Sequence, residues 1–173
     1  MLYGEETVLL EWRVPMTRKY LDVLKDSLEK KEEILRMLSY KNAEQMSLLK
    51  EEEFLPEKIE KTVEEKSALI EKLLKLDEGF QTLYDKVKEE INGKKEIYKD
   101  QIRQLQDLIV KITDMSVAVQ AEEARNKRLF DAKIKKERQV VRLGRNQSNV
   151  SKNYYKNMNR TNIMEPRFLD SKK

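Results

Sequence analysis

Two adjacent carboxylate pairs, Glu64-Glu65 and Glu122-Glu123, are the first residues whose types could do chemistry. Carboxyl groups held in unlike environments can divide acid and base duties between them. Here each pair stands beside Lys or Arg in a run with helical spacing, so the sequence places both on solvated helix faces. The other usual reagents are missing. There is no His and no Cys, which removes the commonest general base and metal ligand, the thiolate nucleophile and any disulfide framework. The four Gly are scattered and build no phosphate-cradling loop. "LDEGFQ" offers only a fragment of a calcium loop. The sequence is read as non-enzymatic, with no cofactor and no metal.

Charge is the next resource. The net charge of +4 conceals an asymmetry, since residues 1–123 carry 21 Lys+Arg against 28 Asp+Glu (−7), and residues 124–173 carry 15 against 4 (+11). Arg125, Lys127, Arg128, Lys133, Lys135, Lys136, Arg138, Arg142 and Arg145 could neutralise phosphates, and tail tyrosines could stack on bases. These cations scatter around a helix instead of lining one face, and the other half is acidic. Solubility and compensation of a helix C-terminal dipole are the favoured account of them, and nucleic acid is the disfavoured partner.

The elements that would position any site are helical. Charged residues make up 39% of the chain, with only 4 Gly and 3 Pro, a profile of long helices. A first helix opens near Pro15, whose missing N–H costs nothing in a first turn. Leu21, Leu24, Leu28, Leu35 and Leu38 recur along it at intervals that repeat one face, with Lys31 interrupting the stripe. Asn42 could cap a new start, and the helix ends either at Leu38 or at about Lys50. A second helix opens at Pro56, with Ile59, Val63, Ile70, Leu73, Phe80, Tyr84, Val87 and Ile91 as its stripe. Leu69, Leu76 and Leu83 widen that stripe beyond a two-stranded seam, while Lys66 and Asp77 leave it imperfect. A third helix carries Tyr98, Ile102, Leu105, Ile109, Ile112 and Val119, then thins through Phe130 and Ile134.

Asn92-Gly93 separates the second helix from the third. Positions 63, 70, 77, 84, 91, 98, 105, 112 and 119 nonetheless keep one heptad phase through it, as one unbroken coiled-coil helix would. A hairpin is favoured, because Gly costs about 1 kcal/mol inside a helix. The expected fold is all-α: an elongated antiparallel helical bundle or coiled coil of about three long helices, with a flexible C-terminal tail. Its parts are an N-terminal extension (1–15), the bundle (16–143) and a basic tail with apolar residues (144–173). Val8, Leu9, Leu10, Trp12 and Val14 form an apolar cluster expected to pack on the bundle, and Met16 could itself be the biological start. No stretch is apolar enough to span a membrane, and no signal peptide is evident. The chain is read as cytoplasmic, without membrane insertion.

The tail "SKNYYKNMNRTNIMEPRFLDSKK" holds more apolar residues than a solvated tail needs. Tyr154, Tyr155 and Met158 could share one helical turn. Aromatic and Met side chains are enriched at partner interfaces, and a segment that folds on binding can clasp a helical partner reversibly. The competing arrangement folds Tyr155, Met158 and Phe168 back over the bundle seam.

"KYLDVLKDSLEKKEEILRML", "VEEKSALIEKLLKLDEGFQTLYDKVKEEI", "YKDQIRQLQDLIVKITDMSVAVQAEEARNK" and the tail together resemble the small flagellar export chaperones of the FliT/FlgN type found in Gram-positive bacteria, over roughly residues 16–173. The most specific parts are "EKSALIEKLLKLDEGFQTLY" and the terminal "YYKNM…FLDSKK". The resemblance implies a cytoplasmic chaperone that uses no ATP. Such proteins hold hook-associated or filament-cap proteins, prevent premature assembly and deliver them to the export gate. Carried over by position, Tyr154 and Tyr155 would be aromatic anchors. The physical argument extends that role to Met158, Ile163, Met164, Phe168 and Leu169. The alternative is a structural coiled-coil scaffold, such as a homodimeric rod, whose basic end docks an acidic partner or nucleic acid. A pure hook predicts that removing residues 144–173 abolishes substrate binding and leaves melting nearly unchanged.

Overall fold

The computed structural model describes residues 3–137, 152–154 and 156–158. Three long helices follow one another: α1 (Tyr3–Lys50), α2 (Pro56–Gly93) and α3 (Lys99–Lys136). The all-α elongated bundle expected from the stripes is what forms. Residues 152–154 and 156–158 add a short helical segment.

The helices form where the apolar spacing placed them, and they end for local reasons. α1 runs without a break to Lys50, passing Asn42 in mid-helix, so Asn42 is no cap. Its start also differs from the expectation, lying at Tyr3 with Pro15 inside the helix. Proline removes one i→i−4 hydrogen bond and crowds the preceding turn, so residue 15 weakens α1 where the extension joins the bundle. α2 begins with Pro56 in its first turn, where the proline is harmless. It ends at Gly93, and the hairpin replaces the single continuous helix. No described residue has a positive φ, so Gly93 stops α2 through its low helix propensity and not through a left-handed cap. Lys94 N–H donates to Ile91 O (3.2 Å) and Ile97 N–H to Lys94 O (3.1 Å), which turns the chain into α3.

Cross-helix contacts fix the alignment. Lys31 meets Asp77, Lys66 meets Asn42 and Gln45 meets Thr62, so α2 runs antiparallel to α1. Gln101 meets Asp22, Ser39 meets Glu122 and Asn126 meets Asn42, at nearly constant separation, so α3 runs parallel to α1. α1 packs along both partners. The main core joins Leu21, Leu24, Leu28, Leu35 and Leu38 to Ile70, Leu73, Phe80, Val87, Ile91, Tyr98, Leu105, Ile109, Ile112 and Val119. A smaller cluster around Leu49, Phe54 and Ile59, backed by Leu129, Phe130 and Ile134, closes the other end.

Candidate functional site

Buried polar residues gather between the two apolar clusters: Asn42, Gln45, Thr62, Lys66, Glu123 and Asn126. Lys66, on α2, is the centre and is only 1% exposed. Its ammonium donates to Asn42 Oδ1 (3.1 Å) and Gln45 Oε1 (2.9 Å) on α1, and to both oxygens of Glu123 on α3 (2.9 Å each). Gln45 Nε2 donates onward to Thr62 Oγ1 (3.1 Å), which donates to Ile59 O (2.6 Å). Asn126 Nδ2 reaches Asn42 O (2.8 Å) and Gln45 Oε1 (3.1 Å). Its Oδ1 has no partner among the described residues. Above this layer Glu122 accepts from Ser39 (2.8 Å) and Asn42 (3.1 Å).

The tail completes the layer. Tyr154 is 1% exposed; its hydroxyl donates to Glu123 Oε1, and its ring lies 4.6 Å from Lys66 Nζ. An ammonium over an aromatic face is stabilised by the ring quadrupole. Met158, one helical turn on, is buried in the main core. Tyr154 therefore sits on groups supplied by α2 and α3 together. Burial pulls the Lys66 ammonium below the usual lysine range, and the Glu123 carboxylate opposes that shift. The site assembles from all three long helices and the tail, and it holds one cation against one carboxylate. Among the described residues no group of acids could hold a metal ion.

The predicted site residues thus divide. Tyr154 and Met158 are seated in the bundle. Tyr155, Ile163, Met164, Phe168 and Leu169 lie outside the described residues. The seat of Tyr154 also revises the expected effect of tail removal, because truncation would strip a buried ring from a buried ion pair and cost stability. Other expectations are corrected. Glu123 is buried instead of solvated, whereas Glu64 is exposed as expected and Glu65 is half-buried in an ion pair with Lys41. Trp12 and Val8, expected on the bundle, are exposed, whereas Val14 packs against the core; the side chains of Leu9 and Leu10 lie outside what the structure describes. The signal for the polar layer was present in the sequence as Lys66 breaking the α2 stripe, but its acceptors stand 21, 24 and 57 residues away.

Comparison with family models, with curated proteins and with solved structures returns no match to this chain.

Proposed function

We propose that this chain is a non-enzymatic helical clasp for an amphipathic segment of another protein, acting as a cytoplasmic export chaperone. The observation that carries the reading is the docking of a short helical segment, through Tyr154 and Met158, onto the α2–α3 side of the bundle. A bundle that accepts its own amphipathic turn presents a surface of the kind used in helix-in-groove recognition. The resemblance to flagellar export chaperones supplies the cargo class: hook-associated or filament-cap proteins, passed on to an export-gate component. No helix among the described residues is long and apolar enough to cross a membrane, which is compatible with that setting.

Tyr154 and Met158 can anchor cargo only after leaving the bundle, so docking and cargo binding compete. Apparent affinity then falls with the fraction of undocked tail. Calorimetric titration of the full chain and a 1–143 truncation against hook-associated and filament-cap proteins tests the reading. Binding by the full chain alone makes the tail the clasp. Tighter binding by the truncation makes the vacated seat the clasp. Binding by neither sinks the chaperone and leaves the coiled-coil scaffold.

A further inference from the structure

α2 and α3 each pack along α1 and hardly against each other, which leaves a cleft between them. Lys66 stands on the α2 wall of that cleft and Glu123 on the α3 wall. Tyr154 bridges the two, with its hydroxyl on Glu123 and its ring face towards the Lys66 ammonium. Met158 enters the main core.

The floor of this seat does not depend on the tail. The ammonium of Lys66 finds Asn42, Gln45 and Glu123, and both oxygens of Glu123 accept from Lys66. Asn42 and Gln45 are held in turn by Glu122, Thr62 and Asn126. A departing Tyr154 therefore leaves the ion pair made and its groups already aimed. A receptor ordered in advance spares the ordering cost of binding.

What the seat asks of a replacement follows from its chemistry. Covering the pair withdraws water from an ammonium and a carboxylate, and burying either without compensation is costly. Tyr compensates both, giving Glu123 Oε1 a donor and Lys66 an aromatic face at 4.6 Å. Phe would bring the face without the donor, and Leu would bring neither. Ser or Thr would bring a donor without a ring. Asp or Glu would meet the Glu123 carboxylate, and Lys or Arg would set a second cation beside Lys66. Four residues on, the same helix face returns, and Met158 is only 4% exposed there. An unbranched thioether adapts to the apolar surface that receives it.

We infer that the α2–α3 seat selects the segment it captures: a helix of another protein that carries Tyr and, four residues later, Met, with the Tyr hydroxyl on Glu123 and its ring over Lys66. This rests on the clasp reading proposed above and adds to it the residue code of the captured helix. The discrimination lies in the buried acceptor. A site built to hydrogen-bond a hydroxyl rejects an analogue without it far more strongly than an apolar pocket rejects a missing methylene.

The test uses a fluorescein-labelled amphipathic peptide of Leu, Ala, Glu and Lys, about 15 residues long so that it can hold a helix. It carries one Tyr with Met four residues on, and a second version has Phe for the Tyr. Fluorescence anisotropy follows both on the full chain and on the full-length variant Tyr154→Ala/Met158→Ala, which vacates the seat. The Tyr peptide should bind the vacated chain, and the Phe version should bind at least about tenfold more weakly. The unmodified chain should show the same preference at higher peptide concentration, since its own tail competes; that measurement decides the matter if the vacated variant fails to fold. Adding Lys66→Met/Glu123→Leu should abolish or reverse the preference. Equal affinity for the two peptides, a Tyr preference that survives Lys66→Met/Glu123→Leu, or no binding by either peptide overturns the inference. A Tyr preference without binding of hook-associated or filament-cap proteins upholds the seat and removes only the cargo class. Binding of those proteins without a Tyr preference overturns the code and leaves the clasp.

Discussion

Two lysines occupy positions where the apolar stripes call for a hydrophobic side chain, and the bundle treats them differently. Lys66 lies in the middle of the layer, where its three N–H donors find Asn42, Gln45 and Glu123, with the Tyr154 ring beside them. Lys31 lies within the apolar half and reaches Asp77 at 2.7 Å. The second carboxylate oxygen of Asp77 has no partner among the described residues. Burial raises the Asp77 pKa above its ordinary range, with Lys31 opposing. The first charge is surrounded by fixed dipoles from three helices and the tail. The second is neutralised across one interface only. A buried ammonium is tolerable in proportion to the polar groups already positioned around it. Lys66 consequently ties α1, α2, α3 and the tail to one register, whereas Lys31 ties α1 to α2.

That contrast can be broken at its strongest point first. Lys66→Ala leaves Glu123 buried without its cation and should cost about 3–5 kcal/mol, read as the denaturant midpoint at constant slope. The double variant Lys66→Met/Glu123→Leu should recover most of that loss. If the layer sets the register, the double variant should also show broadened amide signals across residues 40–66 by NMR. Tyr154→Phe keeps the ring and removes the hydroxyl that donates to the Glu123 carboxylate, at a cost of about 1.5–3 kcal/mol. Lys31→Met, acting on the less surrounded pair, should cost less than Lys66→Ala in the same assay. Equal losses would erase the distinction between the two lysines.

The smallest effect concerns acid pH. The Asp77 pKa is raised from 3.8, so the folded state holds that proton more tightly, and Asp77 adds stability as pH falls from the raised value to the ordinary one. Lys111, hydrogen-bonded to Glu32, is the main cause that lowers the Glu32 pKa from 4.5, so Glu32 withdraws stability as pH falls below its ordinary value. Melting scans from neutral pH down to about pH 3, which covers both carboxyl windows, should separate the two. Asp77→Asn should make the protein more acid-sensitive and Glu32→Gln less so. Shifts of the same sign in both variants would contradict the assigned directions.

How much of this was readable in advance follows from what a stripe encodes. Leu21, Leu24 and Leu28, or Ile70 and Leu73, mark a buried face from spacing alone, because a helix repeats its surface every 3–4 residues. Asn92-Gly93 marks a stop through intrinsic propensity. The polar layer is different. Lys66 and Asp77 were visible as interruptions, yet pairing them needs the relative register of helices joined by the 51–55 and 94–98 connections. Glu123 looked solvated because it is paired with Glu122 and stands two residues from Arg125, although its position on α3 faces inward. Asn42 has the side chain of a cap and is used instead as a cross-helix acceptor. Tyr154 was picked out by its residue type, but type does not say whether an aromatic side chain is buried within its own chain or against another.

The position of Tyr154 over Lys66 also gives this amine a distinct chemical behaviour. An acylating reagent added to the folded protein modifies surface amines at once, because they are solvated. Lys66 can react only in the moments when the tyrosine ring has lifted away and its carboxylate partner has let go. Its labelling rate, read by peptide mass mapping, is a clock that counts departures of the tail, and anything that holds the tail elsewhere makes it run faster.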